Sequence, residues 1–198
     1  MAPRPSRLYS VIATLSWPIF HGPYRLDARG VANVPADGGF VIAANHVSNL
    51  DPWPLGLPLW PRRYLRFMAK SELYWWPLSL VVDGAGAFIV HRGQGDAEAI
   101  ATAVALAKDG HAIAMFPEGT RQRKGLRKKH VARPRSGAAR IAIDAGVPIV
   151  PAAVKGTDGL ARLARIRVAY GEPIAPEGDA QELTERVMAE IERLHATL

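Results

Sequence analysis

The feature that most restricts this chain is a series of short, largely apolar runs, each bounded by glycine, proline or charge and separated by helix-like stretches. They read FVIAA (residues 40–44), YLRFMAK (64–70), GAFIV (86–90), HAIAMF (111–116), VPIVPAAV (147–154) and RIRVAYG (165–171). Runs of this length with little polar alternation are strands covered on both faces. Helix signals lie between and after them. Asp96 is placed to cap AEAIATAVALAKDG, closed by Gly110, and Ser136 to cap GAARIAIDAG, which ends at Gly146. A last helix starts with Asp179 and Glu182 in a capping-box arrangement and carries Leu183, Val187, Ile191 and Leu194 along one face. Strands alternating with helices specify an α/β domain with a mixed, largely parallel central sheet flanked by helices. The 198 residues fit one such domain, preceded by a segment of about thirty residues with a different character (1–30, against 31–198).

In sheets of this kind, functional groups collect where strands end in loops. The first run leads directly into NHVSNLD, residues 45–51, followed by Pro52. His46 and Asp51 are five residues apart, so on a continuous helix their side chains would diverge by about 140°. Pro52 disfavours helical angles at Asp51 and suits the first position of a new helix. A loop that folds back onto a short helix starting at Pro52 brings the carboxylate to the imidazole. Asp51 is then placed to cap that helix, to hold His46, or to do both, because a carboxylate has two acceptor oxygens. A carboxylate accepting from one ring nitrogen leaves the other free to take a proton. There is no cysteine and no serine in a nucleophile elbow, so the proton has to come from an external acceptor such as an alcohol. A metal site is not expected, since no second cluster with ligand spacing accompanies the pair.

Two further strand ends carry charge. FPEGTR (116–121) leaves Glu118, Gly119 and Arg121 on a loop, and GAFIVHRG (86–93) leaves His91 and Arg92. Arginine suits bidentate capture of phosphate or carboxylate. Glu118 is suited either to accept from a substrate hydroxyl or to hold Arg121, while His91 reads as structural. The stretch 121–135 holds eight Lys or Arg and no acid, within a chain of net charge +7. Such charge seeks anionic company, either lipid head groups or a nucleotide-bearing donor. Nucleic acid is not expected, because the basic run contains no stacking aromatic. Trp53, Trp60, Trp75 and Trp76 lie among leucines and basic residues and favour an interfacial or acyl-binding surface. The stretch LYSVIATLSWPIF (8–20) is too short to span a bilayer, which takes about 20 apolar residues. It suits equally a helix lying in the membrane interface or one packed on the core.

Taken together, NHVSNLD, GAFIVHRG, FPEGTR and VPIVPAAV resemble, in order, the four sequence blocks of the glycerophospholipid acyltransferase family, whose best-known members are 1-acylglycerol-3-phosphate acyltransferases. An H-x4-D pair followed about seventy residues later by FPEGTR is a specific combination. The resemblance implies a glycerol-3-phosphate acyltransferase-like fold over residues 31–198, with His46 deprotonating an acceptor hydroxyl and Asp51 orienting it. Arg92, Glu118, Gly119 and Arg121 would hold the phosphate and glycerol of a lysophospholipid, and Pro151 would shape the fourth block. The donor would be acyl-CoA or acyl-carrier protein, with no metal or cofactor. Attachment to an anionic membrane surface is expected to be peripheral, on the cytoplasmic face of the cell membrane. Gln122, where a serine is common, and the unusually basic 123–135 loop leave the acceptor open between lysophosphatidic acid and another lysolipid or glycolipid hydroxyl. The alternative of another class is a catalytically inactive membrane-binding homologue, against which the intact His46, Asp51, Glu118 and Arg121 argue.

Overall fold

All six apolar runs are strands in a computed structural model that describes residues 3–70, 76, 78–90, 96–118 and 134–198. In chain order the elements are α1 (Arg7–His21), β1 (Asp27–Arg29), β2 (Phe40–Ala44), α2 (Pro52–Gly56), β3 (Leu65–Lys70), α3 (Leu78–Gly84) and β4 (Ala87–Val90). There follow α4 (Asp96–Lys108), β5 (Ala112–Met115), α5 (Gly137–Ala145), β6 (Ile149–Lys155), β7 (Arg167–Tyr170) and α6 (Ala180–Ala196). Among the described residues the strands form a seven-stranded sheet in the order β1-β7-β6-β2-β5-β3-β4. Every pairing is parallel except β6 with β7. The mixed, largely parallel sheet expected from the sequence is therefore present, and β1, too short to carry a periodicity, completes one edge.

Two helical layers cover the sheet, as the unbroken apolar runs require. Phe40, Ile42 and Ala44 of β2 face a cluster containing Tyr9, Ala13 and Phe20 of α1 and Leu55 of α2. Val41 and Ala43 face the opposite cluster, built with Ala103 and Ala107 of α4, Ile141 of α5, and Leu183, Val187 and Ile191 of α6. All five residues of β2 are fully buried, so this central strand is the rigid base of whatever follows it.

The helix boundaries agree with the sequence, but the capping chemistry differs at two of them. Gly146 closes α5 at φ +66°, donating its N–H to the carbonyls of Ala142 and Ile143. Ser136 occupies the position before α5 without a side-chain capping bond, because its backbone sits near φ −76°, ψ 8° rather than in the extended region. Asp179 does cap α6, accepting from Gln181 N–H and Glu182 N–H, but the structure shows only this half of the capping box.

The N-terminal stretch is a helix that packs one face on the core and leaves apolar residues exposed on the other. α1 buries Tyr9, Ala13 and Phe20 against the core, while Leu8, Val11, Leu15 and Ile19 stay exposed, Leu15 by 67%. These four recur at helical spacing and make an apolar stripe along the outer side. Leu80 of α3 and Trp76 are exposed as well, whereas Trp75 lies outside the described residues. No helix among the described residues is long and apolar enough to cross a membrane.

Candidate active site

The C-terminal ends of β2, β5 and β6 lie side by side, with Ala43 opposite both Met115 and Pro151. Continuing that register beyond the strands brings Asn45 and His46 level with Pro117 and Glu118 on one side. On the other side they come level with the segment that leads to Gly156 and Thr157.

The loop after β2 is anchored by Asn45, a residue the sequence reading did not single out. Its buried side-chain amide donates to the Val154 carbonyl (2.9 Å) and accepts from Val154 N–H (2.8 Å). A primary amide thus extends the β2–β6 ladder by one rung, after the backbone of residue 45 has already turned away. His46 follows on this fixed base, its ring stacked on Phe116 from the end of β5 (centroids 4.2 Å apart, planes at 22°).

Asp51 is fully buried and lies 2.8 Å from His46, Oδ2 to Nδ1. Because a carboxylate only accepts, Nδ1 carries the proton and Nε2 is the basic nitrogen. Oδ2 also accepts from Val47 N–H (2.7 Å) and Ser48 N–H (2.8 Å), while Oδ1 accepts from the Thr157 hydroxyl (2.5 Å). Four donors therefore converge on one carboxylate. The loop folds back as expected, but Asp51 does not cap α2: it makes no capping bond and has helical angles (φ −51°, ψ −39°) despite Pro52. The preference imposed by proline amounts to little against four hydrogen bonds that all point the side chain towards the loop rather than along the helix.

α2 is held from two further directions. Tyr170 on β7 donates its hydroxyl to the Leu55 carbonyl (2.7 Å), and burial pushes that hydroxyl far above the ordinary tyrosine range, so it remains a donor. Trp53 donates its indole N–H to Ser16 of α1 (3.0 Å), and its ring lies 5.4 Å from that of Tyr9. Trp53 and Trp60 are thus partly buried and pack against the core cluster that contains Tyr9 of α1. Trp76 is 79% exposed.

Of the other residues singled out, Glu118 is half-buried just beyond β5. Arg92, Gly119 and Arg121 lie outside the described residues, as do His91 and most of the basic stretch. Pro151 is buried inside β6, where its carbonyl accepts from Gly171 N–H (2.8 Å). Among the described residues no group of three or more His, Asp or Glu side chains is placed to hold a metal ion. Thr157 and Asn45 were the omissions from the sequence reading. The rule that directed attention to the ends of residues 40–44 and 111–116 applied equally to the end of 147–154, where Gly156-Thr157 follows.

Comparison with known proteins gives a consistent result. The acyltransferase family model matches residues 25–155. A 1-acyl-sn-glycerol-3-phosphate acyltransferase from Bacillus subtilis is 33% identical over 148 residues, 72% of this chain and 70% of its own. A probable 1-acyl-sn-glycerol-3-phosphate acyltransferase from Mycoplasma pneumoniae is 30% identical over 192 residues, 83% of this chain and 68% of its own. Among solved structures, the fold is similar to the 1-acyl-sn-glycerophosphate (LPA) acyltransferase PlsC from Thermotoga maritima. The TM-score is 0.73 at 26% identity, over 93% of this chain and 77% of that one.

Proposed function

The chain belongs to the acyltransferase family, and from that premise we propose that it moves a fatty acyl chain from a thioester to the free hydroxyl of lysophosphatidic acid, giving phosphatidic acid. The observation that carries this reading is the buried Asp51 carboxylate holding Nδ1 of His46 at 2.8 Å, which leaves Nε2 as a base at the end of a central strand. Nε2 takes the proton of the acceptor hydroxyl as its oxygen attacks the thioester carbonyl. The tetrahedral intermediate then collapses, the C–S bond breaks, and the imidazolium returns the proton to the departing thiolate. Asp51 fixes the ring's tautomer and stabilises the transient imidazolium. Glu118, level with His46 by strand register, and Arg92, Gly119 and Arg121 are assigned to the acceptor's glycerol and phosphate. That assignment rests on their motifs. The thioester is acyl-CoA or acyl-carrier protein.

The acceptor and product are lipids, so the reaction belongs at a membrane surface. The apolar stripe of α1, the exposed Leu80 and Trp76, and the net charge of +7 suit peripheral attachment to anionic lipid on the cytoplasmic face.

The test is thiol release from acyl-CoA and from acyl-carrier protein, with lysophosphatidic acid as acceptor, for the wild-type protein and for His46→Ala. Acceptor-dependent release that drops about 10²-fold or more in the variant is expected. An equally active variant would remove His46 from the chemistry. A panel of other lysolipids and glycolipids decides the acceptor, and stronger transfer to one of those would displace lysophosphatidic acid.

A further inference from the structure

Thr157 is 106 residues from Asp51 in sequence and is 2% exposed, yet its hydroxyl lies 2.5 Å from Asp51 Oδ1. The position is built for this contact. Thr157 opens a 3-10 turn, Thr157–Arg162, immediately after β6, and Gly156 before it has φ +94°. A β-carbon on Gly156 would come within 2.2 Å of the Arg165 carbonyl oxygen, so only glycine makes the turn that delivers the hydroxyl.

The effect on the carboxylate is geometric. Oδ2 accepts all three donors of the loop, namely His46 Nδ1–H, Val47 N–H and Ser48 N–H. Those bonds all act through one oxygen, so the whole carboxylate can still rock about Oδ2 by coupled changes of its two side-chain torsions. The Thr157 hydroxyl fixes Oδ1 and hence the plane in which Oδ2 meets the imidazole. It does so from the turn that follows β6, and Asn45 locks β6 to the start of the loop.

We propose that Thr157 is a positioning residue for acyl transfer, setting the Asp51 carboxylate so that His46 keeps its proton on Nδ1 and presents Nε2 to the acceptor. This rests on the reading of His46 as the base. Thr157→Val keeps the shape and removes the hydroxyl, whereas Thr157→Ser keeps the hydroxyl and removes the methyl. With lysophosphatidic acid and acyl-CoA, Thr157→Val is expected to lower kcat about tenfold or more, with both KM values within about twofold of wild type. Thr157→Ser is expected to keep at least about half of the wild-type kcat. In parallel, nitrogen NMR of 15N-histidine-labelled protein is expected to show His46 as a single Nδ1–H tautomer in wild type and Thr157→Ser, and as a mixture in Thr157→Val. An unaltered tautomer in Thr157→Val, a kcat equal to wild type, or a serine variant as impaired as the valine variant overturns the proposal. The NMR measurement requires no turnover, so it tests Thr157 even if acyl transfer to this acceptor is absent. Lost activity in His46→Ala beside an unaffected Thr157→Val leaves the base in place and removes only the positioning role.

Discussion

Replacing Asp51 by asparagine and by alanine separates what the carboxylate does for folding from what it does for chemistry. An asparagine with its amide oxygen at the Oδ2 position keeps Val47 N–H, Ser48 N–H and His46 Nδ1–H bonded, and its amino group then meets the Thr157 hydroxyl, which can rotate to accept. What is lost is charge. Hydrogen bonds to a charged group contribute roughly 1.5–3 kcal/mol and neutral ones roughly 0.5–1.5, so four bonds forfeit about 4 kcal/mol. Relief from burying a fully enclosed charge offsets part of that, leaving a net destabilisation of about 1–3 kcal/mol. Alanine instead removes the acceptor of two backbone N–H groups, the ring and the Thr157 hydroxyl, at about 1–3 kcal/mol for each buried donor left unsatisfied, or roughly 4–12 kcal/mol in all. That is comparable with the whole stability of a domain this size, about 5–15 kcal/mol. In urea unfolding, Asp51→Asn is expected to be a folded protein with a slightly lower midpoint, and Asp51→Ala a marginal one. In thiol-release assays Asp51→Asn is expected to lose about 10²–10⁴-fold in kcat, since a neutral amide does not stabilise the imidazolium. At 1.36 kcal/mol per decade this is roughly 3–5 kcal/mol on the barrier. Turnover of Asp51→Asn within tenfold of wild type, or equal urea midpoints for the two variants, would refute the reasoning.

Asn45→Ala leaves the buried N–H and carbonyl of Val154 without their amide partner, so a loss of about 2–4 kcal/mol is expected from urea unfolding; a shift under about 1 kcal/mol would show that the amide rung is not an anchor. His111 is held below the ordinary imidazole range by burial and then by Arg66, and His195 by burial and then by Lys155. The unfolded chain therefore takes up these protons first. The stability in question is complete above about pH 6.5 and falls as the pH drops below that towards the folded values. A His111→Asn/His195→Asn double variant is expected to lose less stability than wild type between pH 8 and pH 5.5, and equal losses would exclude these two groups as the cause. Leu15→Asp places a charge in the exposed stripe of α1 and is expected to reduce cosedimentation with phosphatidylglycerol vesicles about tenfold without shifting the urea midpoint. Undiminished binding would move the membrane contact away from α1.

The fold was legible because each strand declared itself by composition. FVIAA has no polar residue, and a strand buried on both faces needs none, so residues 40–44 were bounded without error. β1 left no such trace, since three residues of mixed polarity carry no period and are strand only because β7 lies beside them. Capping was read less well for a related reason. Ser136 and Asp51 are both good capping residues by type, but a cap is decided by backbone angles and competing donors, which are set by tertiary structure. α1 shows the limit in another form: apolar residues on nearly every face of residues 8–20 suit burial and interface alike, and only the packed structure separates Tyr9, Ala13 and Phe20 from Leu8, Val11, Leu15 and Ile19.

The candidate site divides along the same line. The contact between His46 and Asp51 was available from spacing, because a seven-residue loop closed by Pro52 has few ways to fold and one of them brings acid to base. The groups that make the contact stiff were not, since Val154 and Thr157 come from more than a hundred residues away and enter only through the parallel pairing of β2 with β6. This pairing turns a local motif into a fixed one. Asn45 ties the start of the loop to β6, and Thr157, just beyond β6, ties the carboxylate at its end. Any displacement of the β6 end relative to β2 must then strain both bonds together and be felt at the imidazole. Asn45 and Thr157 consequently share one physical role, to hold the two ends of a seven-residue loop against the same neighbouring strand.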